Sequence, residues 1–149
     1  MEQSLVLIKP DGVQRGLIGK IITRFEDRGL RLIGAKFLLV SDDLAKKHYA
    51  VHEGKHFYDS LIDFITSAPV MAMVWEGPDA ISAIRQTVGK TRGTEADPGT
   101  IRHDYGIQAR FNLVHASDSV ENGQAEIALW FKPEELVRWK RVTEDWMFE

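Results

Sequence analysis

The chain has 149 residues, 44% hydrophobic and 28% charged, with a formal net charge of −3. That length suits one domain, 1–149, with a substantial core, and the acidic balance argues against broad nucleic-acid binding. There is no cysteine, which excludes disulfides, thiolate catalysis and cysteine-based metal sites.

Leu5 to Ile8 form a short apolar run that ends at Lys9-Pro10-Asp11-Gly12 and reads as a buried strand leading into a turn. The run is too short for a signal-peptide core or a membrane span, so the expected location is cytoplasmic, with no membrane partner. Leu17, Ile18, Ile21, Ile22 and Phe25 share one face of a predicted helix, with Gly29 placed to cap it. Leu30 to Val40, rich in branched and aromatic residues, predicts a long strand with a bulge at Gly34. Ser41 before Asp42 and Asp43 signals a helix running towards His52. A second helix is expected over Phe57 to Ile65, where Phe57, Leu61, Phe64 and Ile65 share a face.

Pro69 to Trp75 is continuously apolar, as in a central strand buried on both faces. Gly77-Pro78 predicts a helix with Pro at its first position, which buries Ile81, Ile84 and Val88 and stops at Gly89. Lys90 to Phe111 lacks a strong period, and such long segments in compact domains tend to be functional. A strand over Asn112 to Ser117 and a helix to about Trp130 follow. The order βαβ-αα-βαβ-α predicts an α+β class. Its form is a ferredoxin-like four-stranded antiparallel sheet, a βαββαβ core, with helices on one face and a long loop. A doubly wound parallel sheet competes, although four strands make a thin one.

Several residues offer chemistry. Lys9 ends a buried strand, where a bare ammonium is costly. It is either an edge lysine reaching solvent or a cation aimed at an anionic ligand. Gly12, Gly16 and Gly19 match neither GxxxxGK[ST] nor GxGxxG. Arg85 and Arg102 are singly ordinary surface charges; with Lys9 they would suffice to hold a polyphosphate. His115 lies near a strand end, where a lone histidine is usually just a hydrogen-bonded core or edge residue. Alternation puts Leu113, His115 and Ser117 on one face and turns Asn112 away, unless Asn112 belongs to the preceding loop. Ser117 and Asp118 offer local polar partners, and a carboxylate such as Glu126 could fix the tautomer of the imidazole.

His48, His52 and His56 recur every four residues around Glu53, like a helical metal face. Gly54 would interrupt that helix, and Lys46, Lys47 and Lys55 would repel a cation. The aromatic strand [KR]G[FY][GA]FVx[FY] of an RNA-binding module is absent. Trp75, Trp130, Trp139 and Trp146 read as core or interface packing, with Trp139 and Trp146 the interface pair.

IKPDGVQRGLIGKIITRFE (8–26), APVMAMVWEG (68–77), DPGTIRHDYG (97–106), NLVHASDSVE (112–121) and LWFKPEELV (129–137) together resemble the nucleoside diphosphate kinase family. The likeness runs from Ser4 to Trp146, and NxxHxSDS in that setting is its most specific part. The resemblance implies that His115 is a nucleophile. It would take the γ-phosphoryl group from a nucleoside triphosphate and pass it to a diphosphate, by ping-pong and with broad base specificity, so maintaining triphosphate pools. It further implies that Lys9 contacts the transferred group and that Arg85, Thr91 and Arg102 hold the other phosphates. Asn112 would bind the sugar hydroxyl, and Tyr49 would lie against the imidazole that Ser117 and Glu126 steady. Phe57, backed by Leu61, would stack on the base. The implied cofactor is Mg²⁺, carried by the nucleotide phosphates without direct protein ligands. The implied assembly is a homo-oligomer, hexamer or tetramer, with no dedicated nucleic-acid partner. Departures from the family pattern are Phe111 in place of an arginine, Ala116 of a glycine, Gly93 of a proline and Val51 of an acidic residue.

Overall fold

The computed structural model describes residues 1–149. The chain runs β1 (Glu2–Ile8), α1 (Pro10–Gln14), α2 (Ile18–Asp27), β2 (Arg31–Leu38), α3 (Asp42–His48), α4 (Tyr58–Ile65), β3 (Val70–Gly77), α5 (Ala80–Val88), α6 (Ile101–Tyr105), β4 (Val114–Ala116) and α7 (Val120–Trp130). The four strands order as β2-β3-β1-β4, and every neighbouring pair is antiparallel. This is the predicted ferredoxin-like α+β sheet, and it removes the parallel alternative.

The central strands β1 and β3 decide how the sheet is covered. Val6, Ile8, Met73 and Trp75 point to one side and pack with Ile21 and Phe25 of α2 and Ile84 and Val88 of α5. Leu5, Leu7, Ala72 and Val74 point to the other, with Ala45 of α3, Ile62 and Ile65 of α4, and Ile127 and Trp130 of α7. The expectation of helices on one face is therefore corrected: both faces are covered. The physical reason lies in the two apolar runs. Neither Leu5–Ile8 nor Val70–Trp75 alternates with polar residues, so an open face would leave large side chains in water at about 1.5–3 kcal/mol each.

Local signals hold at several element ends. Gly29 follows α2 at φ 93°, and Ser41 caps α3 by accepting from Leu44 N at 3.1 Å. The bulge falls between Leu32 and Gly34, where a Cβ on Gly34 would come within 2.9 Å of Leu136. Other boundaries differ. The turn after Lys9 is the short helix α1 with Pro10 in its first turn. Pro78 lies in a turn rather than in a helix, and α5 starts after Asp79, which takes a left-handed φ of 50°. The helix expected to reach His52 stops at His48, and Ala50–His52 form a separate 3-10 turn. The 90–111 segment contains a 3-10 turn, Gly93–Glu95, and then α6, capped by Thr100. The last strand shortens to Val114–Ala116 because Leu113 has φ 75°.

The C-terminal segment runs back along β2. Val137 N donates to Ile33 O at 2.8 Å and Trp139 Nε1 to Leu32 O at 2.9 Å. Buried Arg31 pairs with both Glu76 and Glu144. Trp75 and Trp130 are buried, whereas Trp139 and Trp146 are exposed. No helix is long and apolar enough to cross a membrane.

Gly93 is the tightest glycine: a Cβ there would lie 2.1 Å from Gly106 O and 2.5 Å from Arg102 O. Those backbone atoms cannot rotate aside. Gly93→Ala is expected to cost about 1–3 kcal/mol or more. Gly19→Ala, in the open first turn of α2, is expected to leave stability unchanged or raise it by up to about 1 kcal/mol. Thermal melts of the two variants beside the parent check both signs.

Candidate active site

Pairing between β1 and β4 places the site. Leu7 lies opposite His115 and Ile8 opposite Val114, and Lys9 N then donates to Leu113 O at 2.8 Å. His115 and Lys9 thus sit on the sheet face covered by α3, α4 and α7. Ser117 is tied to the first strand from the other end, its Oγ accepting from Leu5 N at 3.0 Å.

Glu126 reaches down from α7 between Ser117 and His115. Its Oε1 accepts from Ser117 Oγ at 2.6 Å, and its Oε2 lies 3.0 Å from His115 Nε2. The second contact is close but is not an aligned N–H···O bond. Burial opposes ionisation of Glu126, but His115 and Ser117 outweigh it and hold the carboxyl below its usual range. With Nε2 enclosed beside Glu126, Nδ1 is the ring nitrogen left unbonded and open. The His48 ring stands nearly perpendicular to His115, and the Tyr49 ring packs 4.7 Å from His48. Burial pushes the Tyr49 phenol up to about 12, so it stays protonated. Beside His115 opens a cavity of about 570 Å³ whose walls include Tyr49, Arg85, Asp118 and Glu126.

A second group adjoins the first. Lys9 Nζ donates to Asn112 Oδ1, and Asn112 Nδ2 donates to Thr91 O at 3.1 Å. The left-handed turn at Leu113 aims Asn112 this way, with Leu113 N bonded to Asp11 Oδ2 at 3.0 Å. Arg102 is buried and spends its guanidinium on the carbonyls of Asn112, Gly89 and Val114, at 3.2, 3.1 and 2.6 Å. Burial brings Lys9 down to about 8, opposed by Asp11 and reinforced by Arg102. Burial, aided by the charge of Arg85, brings Arg102 down to about 10. Arg85 itself donates to Ala116 O at 3.3 Å. Arg102 thus lowers Lys9 and Arg85 lowers Arg102, which a bound anion would relieve.

The structure therefore gathers His115, Tyr49, Ser117 and Glu126 into one cluster and Lys9, Thr91, Arg102 and Asn112 into another, with Arg85 between them. Phe57 and Leu61 stand apart. Phe57 precedes α4 and packs against His52 and His56, at 5.2 and 5.3 Å between ring centroids, and Leu61 lies one turn on. Of these, only His52 lines the cavity.

Three nearby residues escaped the sequence reading. In the sequence Asp11 is only part of a turn, whereas in the structure it holds the amide of Leu113. Phe64, read as core, places its ring 5.7 Å from Lys9 Nζ. Trp130, read as packing, donates to His48 Nδ1 at 3.1 Å. The available signal was the spacing of Glu126 and Trp130, four apart on α7.

The helical metal face does not form, because His48 turns inward while His52 and His56 pack on Phe57. His48, His115 and Glu126 do bring ligand atoms within 4.8 Å of one another. An indole N–H only donates, so Trp130 occupies the lone pair of His48 Nδ1 and leaves the hydrogen on Nε2, which does not suit a metal ligand.

A sequence model of the family described as nucleoside diphosphate kinase matches residues 2–136. The nucleoside diphosphate kinase of Roseiflexus sp. (strain RS-1) is 53% identical over 149 residues, all of both chains. That of Staphylococcus epidermidis is 54% identical over the same span. The crystal structure of a family protein from Babesia bovis has a TM-score of 0.97 at 50% identity, covering 99% of this chain and 100% of that one. A halophilic nucleoside diphosphate kinase from Halobacterium salinarum, solved in complex with CDP, has a TM-score of 0.96 at 51% identity over 99% of each chain. Likeness of sequence and of fold along the whole chain leads to one conclusion: this protein belongs to the nucleoside diphosphate kinase family and is an enzyme, a nucleotide-binding phosphotransferase.

Proposed function

We propose that the chain moves the terminal phosphoryl group of a nucleoside triphosphate to a nucleoside diphosphate in two half-reactions through His115. The observation that carries this reading is the pose of the ring. Nε2 is enclosed beside Glu126, and Nδ1 is unbonded and open. In the first half-reaction the Nδ1 lone pair attacks the γ-phosphorus, an N–P bond forms, and the bond to the bridging oxygen breaks as the diphosphate leaves. The positive charge that grows on the imidazole falls next to the ionised Glu126, which Ser117 steadies. In the second, the terminal oxygen of an acceptor diphosphate attacks phosphorus and frees the imidazole.

A loose phosphoryl-transfer transition state asks mainly for alignment and fixed positive charge. Lys9 and Arg102 come already desolvated, held by Asn112 and by backbone carbonyls, and Arg85 extends the cationic wall. In this reading Lys9 meets the transferred group, and Arg85, Thr91 and Arg102 take the remaining phosphates. Asn112, already bonded to Lys9, takes a sugar hydroxyl. The protonated Tyr49 phenol packs on His48, the ring that adjoins the imidazole, rather than on the imidazole itself. Phe57, with Leu61 behind it, holds the base by its face, and face contacts tolerate any base.

Mg²⁺ supplies further charge neutralisation when bound. It would be carried by the nucleotide phosphates, with Glu126 already engaged by Ser117 and one oxygen of Asp118 by Asn122. Such an enzyme maintains nucleoside triphosphate pools in the cytoplasm. Exposed Phe37 on the outer strand β2, with exposed Leu39, Trp139 and Trp146, supports a homo-oligomer, hexamer or tetramer.

With ATP and Mg²⁺ but no acceptor, the purified protein is expected to gain one acid-labile phosphoryl group by intact mass. Adding GDP should remove it, and His115→Asn should bind nucleotide without ever gaining mass. Turnover by His115→Asn would sink the mechanism.

The Lys9 ammonium sets a pH dependence. With Lys9 held at about 8 in the free protein, nucleotide affinity is expected to weaken as pH rises from about 7 to 9. Lys9→Met should bind more weakly and lose that step in a calorimetric pH series. Stability runs the opposite way. The penalty for a buried charge is fully present below about 8 and fades as pH climbs towards the ordinary 10.5, so the parent gains stability relative to Lys9→Met over that window.

A further inference from the structure

The reaction above leaves one pair beside His115 without a role. His48 closes α3, Trp130 closes α7, and Trp130 Nε1 donates to His48 Nδ1 at 3.1 Å. Because an indole nitrogen donates and never accepts, the neutral His48 ring carries its hydrogen on Nε2. The His48 ring stands at 83° to His115 with centroids 4.8 Å apart, and at 89° to Trp130 with centroids 5.4 Å apart. Trp130 follows Glu126 by one helical turn. The same face of α7 thus presents the carboxylate at His115 Nε2 and the indole that holds His48.

We propose that His48 is a positioning residue for His115: held in one tautomer by Trp130, it walls the imidazole into the rotamer that keeps Nε2 beside Glu126 and Nδ1 facing the cavity. The proposal rests on the phosphohistidine reading and deepens it. Glu126 alone defines where one nitrogen sits; a ring pinned at one atom still tilts about that contact. A perpendicular ring packed against it restrains the tilt, and near-attack geometry tolerates little of it.

The wall also has to stay uncharged, since a cation would oppose the positive charge that His115 acquires as the N–P bond forms. Burial ensures this and pushes His48 down to about 3, reinforced by the charges of His115, Lys9 and His52 and opposed by Glu126. Tyr49, the remaining titratable group packed on the ring, is held protonated by burial.

Rapid-quench measurement of phosphoenzyme formation from ATP and Mg²⁺ tests the idea. His48→Ala frees the His115 ring and is expected to slow that step at least about tenfold. Nucleotide Kd should stay within about twofold, because a wall that only orients His115 adds nothing to ground-state binding. The double variant His48→Phe with Trp130→Phe keeps both rings while removing the buried donor and acceptor together, and is expected to return within about threefold of the parent rate. A parental rate in His48→Ala overturns the proposal. So does a double variant as slow as His48→Ala, which would put a His48 nitrogen into the chemistry itself. If the parent never forms a phosphoenzyme, the phosphohistidine reading fails, and ¹⁵N NMR of the imidazoles still decides about His48. A lone Nε2–H from about pH 5 to 8 supports the lock, and an Nδ1–H or doubly protonated ring overturns it.

Discussion

Three residue pairs between β1 and β4 carry the site. With Val6 opposite Ala116, Leu7 opposite His115 and Ile8 opposite Val114, His115 is set beside the first strand and on the face of α3, α4 and α7. One residue further, Lys9 N meets Leu113 O; at the other end Ser117 N meets Leu5 O. Strand side chains alternate, so a slip of one residue would bury His115 among Trp75, Phe25 and Ile84 and turn Val114 or Ala116 towards Glu126. The register is held because β1 is buried on both faces and bonded on both edges.

Charge is sorted with equal economy. Half-buried Lys9 and buried Arg102 lie close to like charges, and desolvation lowers the proton affinity of both although Asp11 opposes it. Backbone carbonyls, which bring no counter-charge, take the Arg102 hydrogen bonds, and Asn112 takes Lys9. The nearby acids are used elsewhere: Asp11 on the amide of Leu113, Asp118 on Asn122, Glu126 between Ser117 and His115. A carboxylate paired directly with either cation would neutralise the field on which an anionic substrate depends. The positive charge is therefore pre-organised rather than satisfied.

The departures from the family pattern fit into this frame. Gly93 lies against the backbone of Gly106 and Arg102 and so holds the loop onto the helix that supplies Arg102. Phe111 packs on Phe64 at 5.6 Å, and Phe64 in turn lies near Lys9, which extends an apolar wall beside the lysine. Ala116 is buried with the core, yet its carbonyl takes Arg85. Val51 is exposed at the cavity edge. Nothing in the structure explains why an aliphatic side chain stands there.

What was legible in the chain was local. The apolar stripe of α2, the cap at Ser41, the stop at Gly29 and the bulge at Gly34 follow from dihedral preference and period, which a short window contains. The family resemblance added the roles, attached to motifs such as NLVHASDS. Tertiary structure decided the rest. Whether Lys9, Arg102 and Asn112 converge depends on a hydrogen bond between residues 103 positions apart. The coverage of the second sheet face depends on where α3, α4 and α7 pack, and that layer supplies Glu126, His48 and Trp130. His48 itself shows the division. Its spacing from His52 and His56 suggests a shared helical face, but the helix ends at His48 and an indole from the far end of α7 turns the ring inward. Sequence determines where a backbone prefers to coil or extend, because those energies involve neighbours along the chain. The environment of a polar side chain comes from segments brought together only by burying the core, and no local window contains them.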